Sequence, residues 1–219
     1  MRKVATDRQE RRRDRVRRLS GLYAVTPDLA DTETLVARVE AAAFGGAKAI
    51  QYRNKTADAA LRRRQAEALA AVAKTHGMLL VINDDPALCE AVDADGVHVG
   101  RDDGGIEAAR RIVGEDRILG VSCYDDFALA QAAVAAGADY VAFGSFFPSS
   151  VKPNARRADV SLLRRAATLG VPVVAIGGID ATNVRPLVRA GAAAAAVISA
   201  VFDANDVNGA ARAIAAAFE

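Results

Sequence analysis

The chain has no tryptophan, two cysteines, two methionines and only 5% aromatic residues in 219. So few large rings suit helices packed on a parallel sheet better than an all-β sandwich. Cys89 and Cys123 have neither metal-ligand nor redox-motif spacing, so they read as reduced, packed thiols. No uninterrupted apolar run reaches the roughly 18 residues of a membrane helix. The charged N-terminus has no apolar stretch behind it, which argues against a secretory signal. The net charge is only +2, so any anion site must come from local placement of charge rather than a global field. These absences point to a cytoplasmic protein with no membrane partner.

What is present is unevenly distributed. Residues 1–18 carry nine Lys/Arg against three Asp/Glu, and the remainder of the chain is net acidic. Two parts follow: a basic N-terminal arm, 1–18, and one domain, 19–219, long enough to bury a large core. The self-repelling charge of the arm predicts a solvated or weakly helical extension. A cover over the amino-terminal end of the domain is the alternative.

Within the domain, short apolar runs alternate with helical patterns. Strands are expected at 22–25, 47–52, 78–82, 96–99, 117–121, 139–143, 171–176 and 195–198. Helices are expected at 32–44, 58–76, 86–92, 106–113, 127–136, 160–169, 182–190 and 203–218. The strand cores are continuously apolar, as where both faces of a sheet are buried. Eight strand–helix units predict an α/β fold, a single (β/α)8 TIM barrel with a basic N-terminal extension. A doubly wound open sheet ranks lower, because the first strand ends in Thr26-Pro27-Asp28 rather than a glycine-rich phosphate loop.

The strand tips carry the polar residues. Gln51, Arg53 and Lys55 alternate, so they share one side, where a guanidinium fork and an ammonium suit phosphate. Asn83 and Asp84 end the third strand, and Asp103 lies just beyond the fourth. Two carboxylates on adjacent strands suit Mg²⁺, which keeps waters and shares substrate phosphates. Helix capping is the competing role for each Asp. Residues 144–152 form a polar loop with Ser149 and Lys152 that suits a polyphosphate. Gly177-Gly178 and Ile198-Ser199 fall where barrels bind a phosphate monoester through backbone N–H groups. His98 reads as a packed strand residue and His76 as a surface residue at a helix end.

Together these segments resemble the thiamine-phosphate synthase family. The matching elements are Gln51-x-Arg53-x-Lys55, Ile82-Asn83-Asp84, Gly96-Val97-His98-Val99-Gly100-x-x-Asp103, Gly120-Val121-Ser122, Phe147-Pro148-Ser149-x-x-Lys152, Ala175-Ile176-Gly177-Gly178-Ile179 and Val197-Ile198-Ser199-Ala200. The resemblance implies condensation of 4-amino-2-methyl-5-hydroxymethylpyrimidine diphosphate with a thiazole phosphate, or its carboxylated form. It implies Mg²⁺ on Asp84 and Asp103, and diphosphate contacts from Arg53, Lys55, Asn83, Ser149 and Lys152. It places the pyrimidine on Gln51 and Ser122, and the thiazole phosphate on Gly178, Ile198 and Ser199. Catalysis would rest on the cations Arg53, Lys55 and Lys152. Val151 and Arg101 depart from the usual hydroxyl and glutamine of the family.

A thiazole tautomerase of the same barrel family would not need the full set of diphosphate-binding charges. A nucleic-acid-binding module would have to use the arm, which has no aromatic residue and adjoins an acidic body. The implied partners are therefore small-molecule substrates, without nucleic acid, and a homo-oligomer is left open.

Overall fold

The computed structural model describes residues 2–100, 105–148 and 157–219, with side chains from Thr6 onward. Asp103, Ser149 and Lys152 lie outside the described residues, as do Arg101 and Val151. The strands are β1 (Gly21–Val25), β2 (Ala47–Tyr52), β3 (Leu79–Asn83), β4 (Gly96–Val99), β5 (Ile118–Tyr124), β6 (Tyr140–Gly144), β7 (Val173–Ile176) and β8 (Ala194–Val197). Each pairs in parallel with the next, and β8 pairs with β1, so the sheet closes into a barrel. Closure leaves no sheet edge and brings every carboxyl end to one rim.

Period-two alternation divides the side chains between two cores. Tyr23, Val25, Ala49, Leu79, Val81, Tyr140, Ala142 and Val174 fill the barrel interior. Leu22, Ala24, Ile50, Leu80, Ile82 and Val97 join the layer between barrel and helices. Both faces of each strand are thus buried, which explains the unbroken apolar runs. The alanines of β8 leave space for rings: Tyr23 sits in register with Ala196.

The outer helices are α2 (Thr32–Phe44), α3 (Ala59–His76), α4 (Pro86–Ala91), α5 (Ile106–Val113), α6 (Phe127–Ala135), α7 (Ser161–Ala166) and α8 (Val184–Arg189). Asp31, Asp58, Asp85 and Asp126 cap four of them through their carboxylates. The expected closing helix over 203–218 is broken. A short α9 (Ser199–Phe202) leaves β8 directly, and α10 (Val207–Ala215) starts afresh at its N-cap Asp206. The run Asp203-Ala204-Asn205-Asp206 between them offers side chains that compete for the backbone, so it turns rather than continuing the helix.

The arm is not a solvated extension. It forms α1 (Arg2–Arg18), laid across the amino-terminal end of the barrel. Arg12 Nε donates to Asp139 Oδ1 at 2.6 Å, and Arg15 Nε donates to Asp95 Oδ1 at 2.8 Å. Arg15 also donates to the Asp116 carbonyl, and Arg18 to that of Gly77. Val16 and Leu19 pack into the barrel's inner core. The acidic groups at the strand starts offset the repulsion that the arm alone would suffer. Among the described residues, no helix is long and apolar enough to cross a membrane.

Candidate active site

The β1–α2 loop braces the β2 tip. Thr26 is fully buried; its hydroxyl donates to the Arg53 carbonyl at 2.8 Å and accepts from Arg53 N–H at 2.8 Å. Asp28 accepts from the Arg53 guanidinium at 3.2 Å and from Lys55 N–H at 2.8 Å. The even-numbered residues turn outward: Tyr52 donates to Gln65 at 2.8 Å, and Asn54 donates to Leu29 and Gln65. Gln51, Arg53 and Lys55 therefore face the mouth together, as their spacing predicted.

At β3 the structure separates two adjacent carboxylates. Asp85 caps α4, accepting from Leu88 N–H at 2.9 Å. Asp84 instead lines the mouth in a left-handed conformation, φ 59°. Its N–H donates to the His98 carbonyl at 2.8 Å, and its Oδ2 accepts from Asn83 Nδ2 at 2.6 Å. The capping role thus falls to Asp85, while Asp84 lines the cavity.

The opposite rim is made of backbone. Gly177 and Gly178 both have positive φ, 105° and 64°. A Cβ on Gly178 would collide with the Pro148 and Phe147 carbonyls, so only glycine lets this turn lie against the root of the β6–α7 loop. Asn183 Nδ2 holds the Gly178 carbonyl at 2.9 Å. Ser199 opens α9, in which the Val201 and Phe202 N–H groups donate back to the Ile198 carbonyl at 3.2 and 2.9 Å.

One cavity of about 540 Å³ joins the two rims. Nine of the sequence-predicted residues line it: Gln51, Arg53, Lys55, Asn83, Asp84, Ser122, Gly178, Ile198 and Ser199. A lateral recess of about 240 Å³ adds Arg62 beside Arg53, Lys55, Asn83 and Asp84. Arg62, from the first turn of α3, went unnoticed in the sequence because nothing there shows which way it faces. Its Nε is buried with no hydrogen-bond partner among the described residues.

The cavity floor is polar in a way the sequence did not disclose. Gln51 Nε2 lies 2.9 Å from Tyr23 Oη, and Tyr23 Oη lies 3.0 Å from Tyr140 Oη. His98 Nδ1 is 3.0 Å from Tyr140 Oη, and His98 Nε2 is 2.9 Å from Ser122 Oγ. His98 is buried, as its strand position predicted; its bonding partners came only with barrel closure. His76 stacks edge-on against Phe44 on the outer surface. The two cysteines are free and buried, and burial pushes both thiols up to about 12, so neither is a nucleophile at neutral pH.

Cations, a carboxylate and an amide stand at one rim, backbone donors at the other, and an amide with a hydroxyl between them. This is a (β/α)8 barrel whose carboxyl-end cavity carries cationic side chains on one side and a glycine-rich backbone turn on the other. Residues 22–201 match the thiamine monophosphate synthase family. The thiamine-phosphate synthase of Chromobacterium violaceum is 55% identical over 201 residues, covering 92% of this chain and 97% of that one. That of Thiobacillus denitrificans is 55% identical over 192 residues, covering 87% and 91%. The thiamine phosphate pyrophosphorylase of Pyrococcus furiosus superposes with a TM-score of 0.82 at 34% identity, covering 94% of this chain and 96% of that one. The chain belongs to the thiamine monophosphate synthase family, whose enzymes transfer a pyrimidinylmethyl group to a thiazole phosphate.

Proposed function

We propose that this chain joins 4-amino-2-methyl-5-hydroxymethylpyrimidine diphosphate to 4-methyl-5-(2-phosphoethyl)thiazole, or its carboxylated form, at the cavity described above. The products are thiamine phosphate and pyrophosphate, with CO₂ from the carboxylated substrate. The observation that supports this reading is one cavity lined by Arg53, Lys55, Asn83 and Asp84 on one side and by Gly178, Ile198 and Ser199 on the other. Arg53, Lys55 and Asn83 suit the diphosphate, joined in this proposal by Ser149 and Lys152 from outside the described residues. Gly178, Ile198 and Ser199 suit the thiazole phosphate, which carries one phosphate and needs no metal. A tautomerase would use the second rim without needing the charges of the first.

The C–O bond of the pyrimidine substrate breaks heterolytically, and its electron pair leaves on the diphosphate. The thiazole nitrogen lone pair then closes on the methylene carbon, and the positive charge ends on the thiazolium ring. No nucleophilic side chain is required. The chain must stabilise charge on the leaving group and hold both reactants in line.

The donor set at the first rim fits Mg²⁺. Asp84 would supply a hard carboxylate oxygen beside Asn83, the ligand type Mg²⁺ prefers. Asp84, with Asp103, would hold the ion, which would neutralise charge on the diphosphate. Incubating the protein with both substrates and Mg²⁺ tests the reading. Thiamine phosphate and pyrophosphate should appear in equal amounts; tautomerised thiazole alone would overturn it.

A further inference from the structure

We infer that Tyr23, Tyr140 and His98 act as positioning residues that lock the polarity of the pyrimidine site and so select an aminopyrimidine over its oxo counterpart. The inference rests on the proposed pyrimidine contacts of Gln51 and Ser122. Those two side chains are the ends of one continuous hydrogen-bonded chain, Gln51–Tyr23–Tyr140–His98–Ser122, with every link between 2.9 and 3.0 Å.

The relay is built into the barrel. His98, Gly120 and Tyr140 occupy matched positions on β4, β5 and β6. A Cβ on Gly120 would run into the Tyr140 ring, so glycine at the middle strand is what lets Tyr140 reach across to His98. The Tyr140 ring stacks on the His98 ring at 5.5 Å and meets the Tyr23 ring edge-on at 6.3 Å. Tyr23 and Tyr140 are fully buried, and burial raises both phenols well above their ordinary value. Each phenol therefore keeps its proton and has one hydrogen to donate.

That restriction gives the chain a direction. The Gln51 amide N–H donates to Tyr23; giving every buried hydrogen of the chain a partner then requires Tyr23 to donate to Tyr140 and Tyr140 to His98 Nδ1. His98 then carries its proton on Nε2 and donates to Ser122, which leaves the Ser122 O–H to point into the cavity. At the other end, Gln51 lines the cavity and, with Nε2 on Tyr23, has Oε1 as its remaining amide atom, an acceptor. The site offers an acceptor at Gln51 and a donor at Ser122, the complement of an exocyclic amino group and a ring nitrogen. Reversing one end reverses both: a flipped Gln51 amide would force the proton to His98 Nδ1 and turn Ser122 into an acceptor. The relay makes these two ends a single choice, and a 4-oxo pyrimidine meets the wrong pattern at Gln51.

Two measurements test this. Nitrogen-15 NMR of the ligand-free wild-type protein should show neutral His98 with its proton on Nε2; a proton on Nδ1 overturns the relay, whatever the activity. The second compares kcat/KM for the 4-amino pyrimidine diphosphate and its 4-oxo analogue. A site committed to hydrogen bonds discriminates by about 10⁴-fold or more. Tyr23→Phe and Tyr140→Phe remove the links without removing the rings. Each should shrink the amino/oxo ratio by about tenfold or more, toward the discrimination of a site with no fixed polarity. The KM for thiazole phosphate should stay within about twofold, since none of the relay's hydrogen bonds runs to Gly178, Ile198 or Ser199. An unchanged ratio in both variants would refute the inference. If the wild-type protein makes no thiamine phosphate from the native pair, the proposed function fails instead, and the His98 proton still decides the relay.

Discussion

The two ends of the barrel use the same charged residue types to opposite purpose. At the amino-terminal end, Asp139 accepts from Arg12, Arg110 and Leu119 N–H, all at 2.6 to 2.8 Å. Asp95 accepts from Arg15 and from Leu80 N–H in the same way. Each carboxylate there is consumed by the fold. At the carboxyl end, Arg53 pairs with Asp28, and Arg53 and Lys55 line the cavity; a buried Nε with no hydrogen-bond partner among the described residues occurs at both ends, on Arg62 here and on Arg110 there. The carboxylates at the amino-terminal end tie strand starts to distant arginines, whereas Arg53, Lys55 and Asp84 at the other end line the cavity proposed as the active site. A charge count cannot tell these apart, because both ends draw on Arg and Asp.

The largest effect should come from breaking the closed end. Asp139 is 7% exposed, and Asp139→Ala would take the carboxylate away from two guanidinium groups and remove the acceptor of the Leu119 N–H. Losing one partner of such a buried cluster costs about 3–5 kcal/mol, and chemical denaturation should show it while kcat holds. Lys55→Ala should do the reverse, since Lys55 lines the cavity and its side chain is exposed. Loss of one electrostatic contact to the leaving group lowers kcat by about 10²-fold or more. The melting temperature should hardly move; a collapse in stability with kcat intact would mean the cation belongs to the fold.

Asp84→Asn sharpens the comparison further, because it keeps shape and removes charge. The Mg²⁺ concentration for half-maximal rate should rise by about tenfold or more, with unfolding unchanged. A Mg²⁺ titration identical to wild type would remove Asp84 from the metal site. The smallest catalytic effect is expected from removing residues 1–18. Melting temperature should fall as Asp95 and Asp139 each lose an arginine, while steady-state kcat stays within about twofold. Lost turnover in a folded truncated chain would show that the helix reaches across to the mouth.

The sequence by itself determined the barrel and most of its mouth. Strand and helix periods are local, so the eight units were legible in order, and so was the shared face of Gln51, Arg53 and Lys55. The family motifs named the tips that closure would bring together. Tertiary structure decided what depends on partners distant in the chain. It assigned capping to Asp85 and left Asp84 at the cavity, which adjacent identical side chains could not announce. It seated the basic arm on carboxylates some 80 to 130 residues away. It also drew Tyr23, Gln51, His98, Ser122 and Tyr140 from five strands into one hydrogen-bonded relay. A pattern of residues sets which face a side chain takes, but a hydrogen bond needs two atoms about 3 Å apart, and only closing the sheet fixes that distance.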